Sequence, residues 1–136
     1  MDIGGNDLNK RVEYWLELAE YDIDSAKVML NGGKYLYVGF MCHQTIEKAL
    51  KAVISSISEE ILPPYTHNLI KLIRESNLNN VLSEEQRDLI DTLNPLYIGT
   101  RYPAYKEQLL AELNKEKCTE ILKGTEVLFS WIKGKL

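Results

Sequence analysis

The sequence predicts an all-α protein: an up-and-down antiparallel helical bundle of three long helices and two short ones. Apolar residues recur at steps of three and four along most of the chain, the period of an amphipathic helix. No segment sustains the apolar–polar alternation of a half-buried strand, and no hairpin signal joins two such runs. Short connections carrying glycine or proline separate the periodic segments, which suits antiparallel neighbours in a bundle.

The elements follow in order. Leu8, Val12, Trp15, Ala19, Ile23, Ala26 and Leu30 trace one stripe on a long first helix. Asn31-Gly32-Gly33 ends it, because glycine accepts the left-handed conformation that closes a helix. A second helix runs from about Lys34 to about Ile57, and Pro63-Pro64 forbid its continuation. Thr66 is the expected N-cap of a short third helix, His67 to about Ser76, with Leu69, Leu72 and Ile73 inward. Ser83 and Gln86 have capping-box spacing for a fourth helix through Leu93, which Asn94-Pro95 stops. The segment Leu96 to Tyr105, with Gly99 and Pro103, reads as a loop or broken turn. A last long helix is expected from about Lys106 to about Lys133, with Leu110, Leu113, Ile121, Thr125, Leu128 and Ile132 on one side.

At 136 residues the chain suits a single domain, residues 1–136, since domains commonly run to roughly 100–150 residues. Hydrophobic residues at 45% and charged residues at 26% are ordinary globular values. A formal net charge of -4 gives no global attraction to nucleic acid, so any phosphate contact must come from a local basic patch. Cys42 and Cys118 stand in apolar helical patterns without CxxC spacing and read as small core residues. The N-terminus MDIGGNDLNKR has no signal-peptide core, and the apolar runs are far short of the roughly 20 residues that span a bilayer. A soluble, cytoplasmic protein with no membrane contact is expected.

Chemistry concentrates in three places. On the second helix Cys42, Ile46, Ala49 and Val53 form the apolar stripe, and Phe40, Gln44, Glu47, Lys48 and Lys51 lie opposite. An aromatic among an amide, an acid and two lysines suits a partner surface or a ligand-contacting groove. The plain alternative is a solvated face with a Glu47–Lys51 pair of ~0.2–0.5 kcal/mol. In Pro64-Tyr65-Thr66-His67, the histidine is expected in a first helical turn, where the helix dipole disfavours its protonation. It serves either as a packing or capping residue or as a neutral imidazole lining a cleft. Thr100-Arg101-Tyr102-Pro103 offers a permanent charge, a planar donor fork and an aromatic platform. Arg101 either recognises phosphate or carboxylate, or pins its loop to helix-end carbonyls or to Glu47.

Metal chemistry has little to build on. The histidines are His43 and His67; His43 and Glu47 are four apart, but nothing completes a site, so neither metal nor cofactor is expected. Gly32-Gly33 lacks the context of a phosphate-cradling loop. No motif supports a Ser-His-Asp or Cys-His arrangement.

Taken in order, these pieces resemble the HEPN domain (higher eukaryotes and prokaryotes nucleotide-binding). The resemblance rests on an opening helix YWLELAEYDIDSAKVML and on Phe40, Gln44, Glu47, Lys48, Ala49, Leu50, Lys51 and Ala52. Thr66, His67 and Leu69 follow, then Arg101, Tyr102 and Pro103. It spans roughly residues 10 to 133. It implies a homodimer through bundle helices, a minimal nucleotidyltransferase as a partner in a toxin–antitoxin-like pair, or binding of a nucleotide or RNA. Many relatives of this kind are metal-independent ribonucleases with a histidine four to six residues after an arginine. Here Tyr102 to Gln108 contain no histidine, and neither His43 nor His67 has an arginine in the six residues before it. The expected function is therefore a binding module, with a ribonuclease as the alternative. Gln44, Lys48, Lys51, His67, Arg101 and Tyr102 are the expected ligand-binding residues. Phe40 and Glu47 are expected at the dimer or partner interface.

Overall fold

A computed structural model describes the backbone from residue 3 and the side chains from residue 9 through Leu136. Among the described residues there are six α-helices: α1 (Ile3–Asn31), α2 (Tyr35–Ile57), α3 (Leu69–Glu75), α4 (Glu84–Leu93), α5 (Pro103–Glu112) and α6 (Lys115–Lys133). Two 3-10 segments, Asn79–Val81 and Asn94–Thr100, accompany them, and no strand occurs among the described residues. The all-α bundle expected from periodicity is what forms. No helix among the described residues is long and apolar enough to cross a membrane.

α1 and α2 are joined by a Schellman turn. Gly33 takes φ 72°, Lys34 N–H donates to Met29 O at 2.8 Å, and Gly33 N–H donates to Leu30 O at 3.2 Å. The inward stripe of α1 is Ala19, Ile23 and Ala26, all buried. Leu8, expected on the same stripe, lies outside the described side chains. Val12, Trp15 and Leu30 are only half-buried, at the margins of the stripe.

α2 is the centre of the molecule. It packs against α1, α3, α6 and the second 3-10 segment, so residues on most of its circumference are buried, from Leu36 to Ser55. This corrects the expectation of an open polar face opposite the apolar stripe: Glu47 and Lys51 are only 3% and 7% exposed. A helix surrounded on all sides leaves few positions to water, whatever its own pattern.

Three boundaries depart from the sequence reading. α3 begins at Leu69, with the Asn68 side chain accepting from Ile70 and Lys71 N–H. Thr66 is not its cap; the Thr66 hydroxyl accepts from Asn68 N–H at 3.1 Å in a local turn. His67 therefore precedes the helix, and no helix dipole acts on it from within a first turn. The stretch expected as a loop is ordered instead, as the 3-10 segment and the start of α5 at Pro103, where a missing N–H does no harm.

The last long helix is in fact two. Leu113 leaves helical geometry (φ -89°, ψ 87°), and Asn114 restarts the chain by accepting from Lys117 N–H at 2.8 Å. The break turns Leu113 into the core, where it lies 4% exposed. There its side chain and that of Leu96 fill the notch left by Gly39, 3.2 Å from where a Cβ would stand. Leu110, expected inward, is 46% exposed on α5, which has no buried residue. The capping box of α4, by contrast, forms as expected: Gln86 N–H donates to Ser83 Oγ, and Ser83 N–H donates to Gln86 Oε1.

Candidate functional site

Three elements and the residue that follows the last of them bring polar side chains to one corner. α2 contributes His43, Gln44, Glu47 and Lys51. The turn before α3 contributes His67, the 3-10 segment after α4 contributes Tyr97, and Arg101 follows it. Their hydrogen bonds form one connected line. Lys51 Nζ donates to Glu47 Oε2 at 3.2 Å. Glu47 Oε1 lies 2.7 Å from His67 Nδ1, and His67 Nε2 lies 3.2 Å from Arg101 Nη2.

Partner chemistry assigns the protons. A carboxylate only accepts and a guanidinium only donates. His67 therefore carries its proton on Nδ1, toward Glu47, and accepts from Arg101 through Nε2. Its imidazole is neutral in this arrangement, with its second nitrogen at the surface edge of the network. Burial falls steeply along the line: the Glu47 side chain is 4% exposed and that of His67 36%, while Arg101 is exposed.

His43 supports this line from beneath. Its Nε2–H donates to the backbone carbonyl of His67 at 2.9 Å, and Gln44 Nε2 donates to His43 Nδ1 at 3.3 Å. The second bond requires the neutral ring, because a protonated Nδ1 has no lone pair with which to accept. Burial enforces the same state by lowering the imidazole to about 4, although Glu47, 3.9 Å away, pulls in the other direction. The Tyr97 ring leans on both histidines, with centroids 4.9 Å from His43 and 5.2 Å from His67. Asn68, Asn94, Tyr97 and Ile98 line an adjoining hollow of about 240 Å³.

The expected site residues thus divide. Gln44, His67 and Arg101 come together with Lys51. Lys51 is enclosed, however: its ammonium is bound by Glu47 and lies 5.4 Å from the centroid of the Trp15 ring. Lys48 points elsewhere, to Asp22 on α1 at 2.5 Å. Neither lysine is a free cation, so Arg101 supplies the accessible positive charge of this corner. Tyr102 is 56% exposed beside Arg101 and meets the Tyr105 ring edge-on at 6.5 Å. Phe40 is half-buried. Glu47, expected at an interface, is instead the buried anion that orients His67, because α2 has no open side there.

His43 and Tyr97 were missing from the expected set. The i, i+4 spacing of His43 and Glu47 was a visible signal for the first. For Tyr97 the aromatic content of its segment was the only trace, since its position depends on a 3-10 geometry that the periodicity does not reveal. The cysteines lie where expected, in the core. Burial pushes the Cys42 thiol up to about 12 and that of Cys118 to about 11.

Comparison with known proteins bears on this corner through the fold. The family model described as "HEPN domain" matches residues 12–135. The structure is similar to that of TT1696 from Thermus thermophilus, with a TM-score of 0.77 at 21% identity, over 93% of this chain and 98% of that one. It is also similar to ST0689, an archaeal HEPN homologue, with a TM-score of 0.70 at 24% identity, over 91% of this chain and 96% of that one. No curated protein matches.

Proposed function

Because the chain belongs to the HEPN domain family, we propose that it is a binding module whose Glu47–His67–Arg101 corner receives the phosphate of a nucleotide or RNA. The observation that carries this is the 3.2 Å contact between Arg101 Nη2 and His67 Nε2 at the accessible end of a network whose buried end is already balanced. Arg101 has five donors and spends one on His67. The remaining donors suit the oxygens of a phosphate. Tyr102, exposed alongside, offers a face for base stacking. Gln44 and Lys51 act at one remove, by holding His43 and Glu47.

The test is thermal. A ligand at about 100 times its Kd stabilises the folded state by about 2.7 kcal/mol. Titration with nucleoside mono-, di- and triphosphates and a short oligoribonucleotide should raise the Tm of the wild type, and Arg101→Ala should remove the rise. An unshifted Tm with every ligand at millimolar concentration, or an unchanged response in Arg101→Ala, would refute the proposal.

A second reading, metal-independent cleavage of RNA, is favoured by one observation. Glu47 holds the proton of His67 on Nδ1 and so leaves Nε2 as the basic nitrogen. In that reading Arg101 turns from Nε2 to the phosphate and stabilises the charge that develops. Nε2 takes the proton of a ribose 2′-hydroxyl, and the freed oxygen attacks phosphorus. The P–O5′ bond breaks, the 5′-oxygen leaving as a hydroxyl with the proton returned by the imidazolium and a 2′,3′-cyclic phosphate remaining. Cleavage of an oligoribonucleotide in the presence of a chelator, lost in both His67→Ala and Arg101→Ala, would establish it. Binding without cleavage would leave the binding module alone. Family membership also supports a homodimer, and a minimal nucleotidyltransferase as a partner in a toxin–antitoxin-like pair.

A further inference from the structure

α1 has a second row, apolar except at Ser25, on its outer side. Tyr14, Leu18, Tyr21, Ser25 and Val28 follow one another at alternating steps of four and three, the spacing of a and d positions in a two-stranded coil. They face away from the buried stripe of Ala19, Ile23 and Ala26. Tyr14, Tyr21 and Val28 are 56%, 72% and 67% exposed. Large side chains left bare in a regular row over some four turns are more than scattered surface apolarity.

Charge beside the row indicates what would cover it. Along one edge run Glu13, Glu17, Glu20 and Asp24, themselves at steps of four and three. Glu20 is bridged by Lys133 at 2.8 Å, and Asp24 faces Lys27 at 3.8 Å. Among the described residues no cation is paired with Glu13 or Glu17. The opposite edge turns toward α2 and is occupied there. Arg11 donates to Ser58 O, Trp15 lies against Lys51, and Asp22 is bonded by Lys48.

A second copy of this face is a poor fit. Antiparallel pairing would set the acidic edge against itself. Parallel pairing would set it against the edge of Arg11, Trp15, Asp22 and Met29, where Arg11 is turned to Ser58 O and Asp22 is bonded by Lys48, so that this edge faces α2 rather than a partner. Like charges across the flanking positions of a coil select against a partner. A helix with lysines or arginines flanking its own apolar seam meets both the row and its edge. We infer that the Tyr14–Val28 face of α1 docks a cationic amphipathic helix of a partner protein. This goes beyond phosphate recognition and does not depend on it.

The experiment uses the whole chain and two labelled peptides. One has leucine heptads with lysine at the flanking positions; its twin has glutamate there. Fluorescence anisotropy should show micromolar binding of the lysine peptide and at least about tenfold weaker binding of the twin. Tyr14→Ser with Tyr21→Ser and Val28→Ser should weaken the lysine peptide by at least about tenfold. Glu13→Lys with Glu17→Lys should reverse the preference between the peptides. Glu85→Lys with Asp88→Lys, on exposed α4, should leave it unchanged and so separate docking from diffuse charge attraction. Equal affinity for the twins, or equal loss in the α4 variant, overturns the inference. So does wild-type self-association that the serine variant abolishes, because it assigns the face to a second copy. Should the serine variant melt early by circular dichroism, the charge-reversal arm decides alone.

Discussion

Burial holds the His43 imidazole at about 4, against 6.5 for an unhindered ring, and this couples stability to pH. The unfolded chain takes up the proton first as pH falls, so stability is complete above about 6.5 and drains away between 6.5 and 4. A depression of that size corresponds to about 3 kcal/mol across the window. Replacing His43 by Gln, whose amide still donates to the His67 carbonyl, should flatten that part of the profile. Urea midpoints measured from pH 7 to 4 would show it, and equal slopes in the two proteins would contradict the assignment. At this scale the sequence was informative about identity and silent about depth. The period put Gln44, Glu47 and Lys51 on one side of a helix. It could not reveal that neighbours from three other elements close over that side, which turns Glu47 from a surface acid into the buried partner of His67.

Helix ends were legible where a side chain announces them and illegible where tertiary contacts choose. Ser83 and Gln86 spell their cap locally, and α4 starts as that spelling requires. Thr66 and Asn68 both offer a capping side chain. The choice falls on Asn68, where Asn94 Oδ1 accepts from Leu69 N–H at 2.8 Å and Asn94 Nδ2 donates to Asn68 Oδ1 at 3.4 Å. A residue 26 positions away thus sets where α3 begins and keeps His67 outside it. Asn68→Ala should cost about 1 kcal/mol, read as a shift in the denaturant midpoint. It should also weaken any response to ligand, because His67 is the adjacent residue. An unchanged midpoint would mean that Asn94 alone holds the turn. The break at Leu113 has the same character: Asn114 is a capping residue by type, but the pull of the Gly39 notch on Leu113 is a contact between elements far apart in sequence.

Over the whole molecule, fold class and family followed from the order of the helices and their motifs, because both are carried by pattern. The electrostatic form of the corner did not, since pairing decides which charges remain free. Lys51 and Glu47 cancel, Lys48 is bound to Asp22, both imidazoles are neutral, and Arg101 is left with surplus positive charge. Around it the protein as a whole carries -4. An approaching anion therefore meets repulsion at long range and attraction only on arrival. Salt screens exposed charges beyond about 10 Å at 0.1 M but acts much less on contact pairs. Moderate salt should therefore speed the encounter of a nucleotide with Arg101, the reverse of the usual behaviour of cationic nucleic-acid binders. Stopped-flow association rates across an ionic-strength series would show a rise from low salt, and a monotonic fall would place a wider positive field around the corner. Entry to this site would then be governed by the medium as much as by the residues that line it.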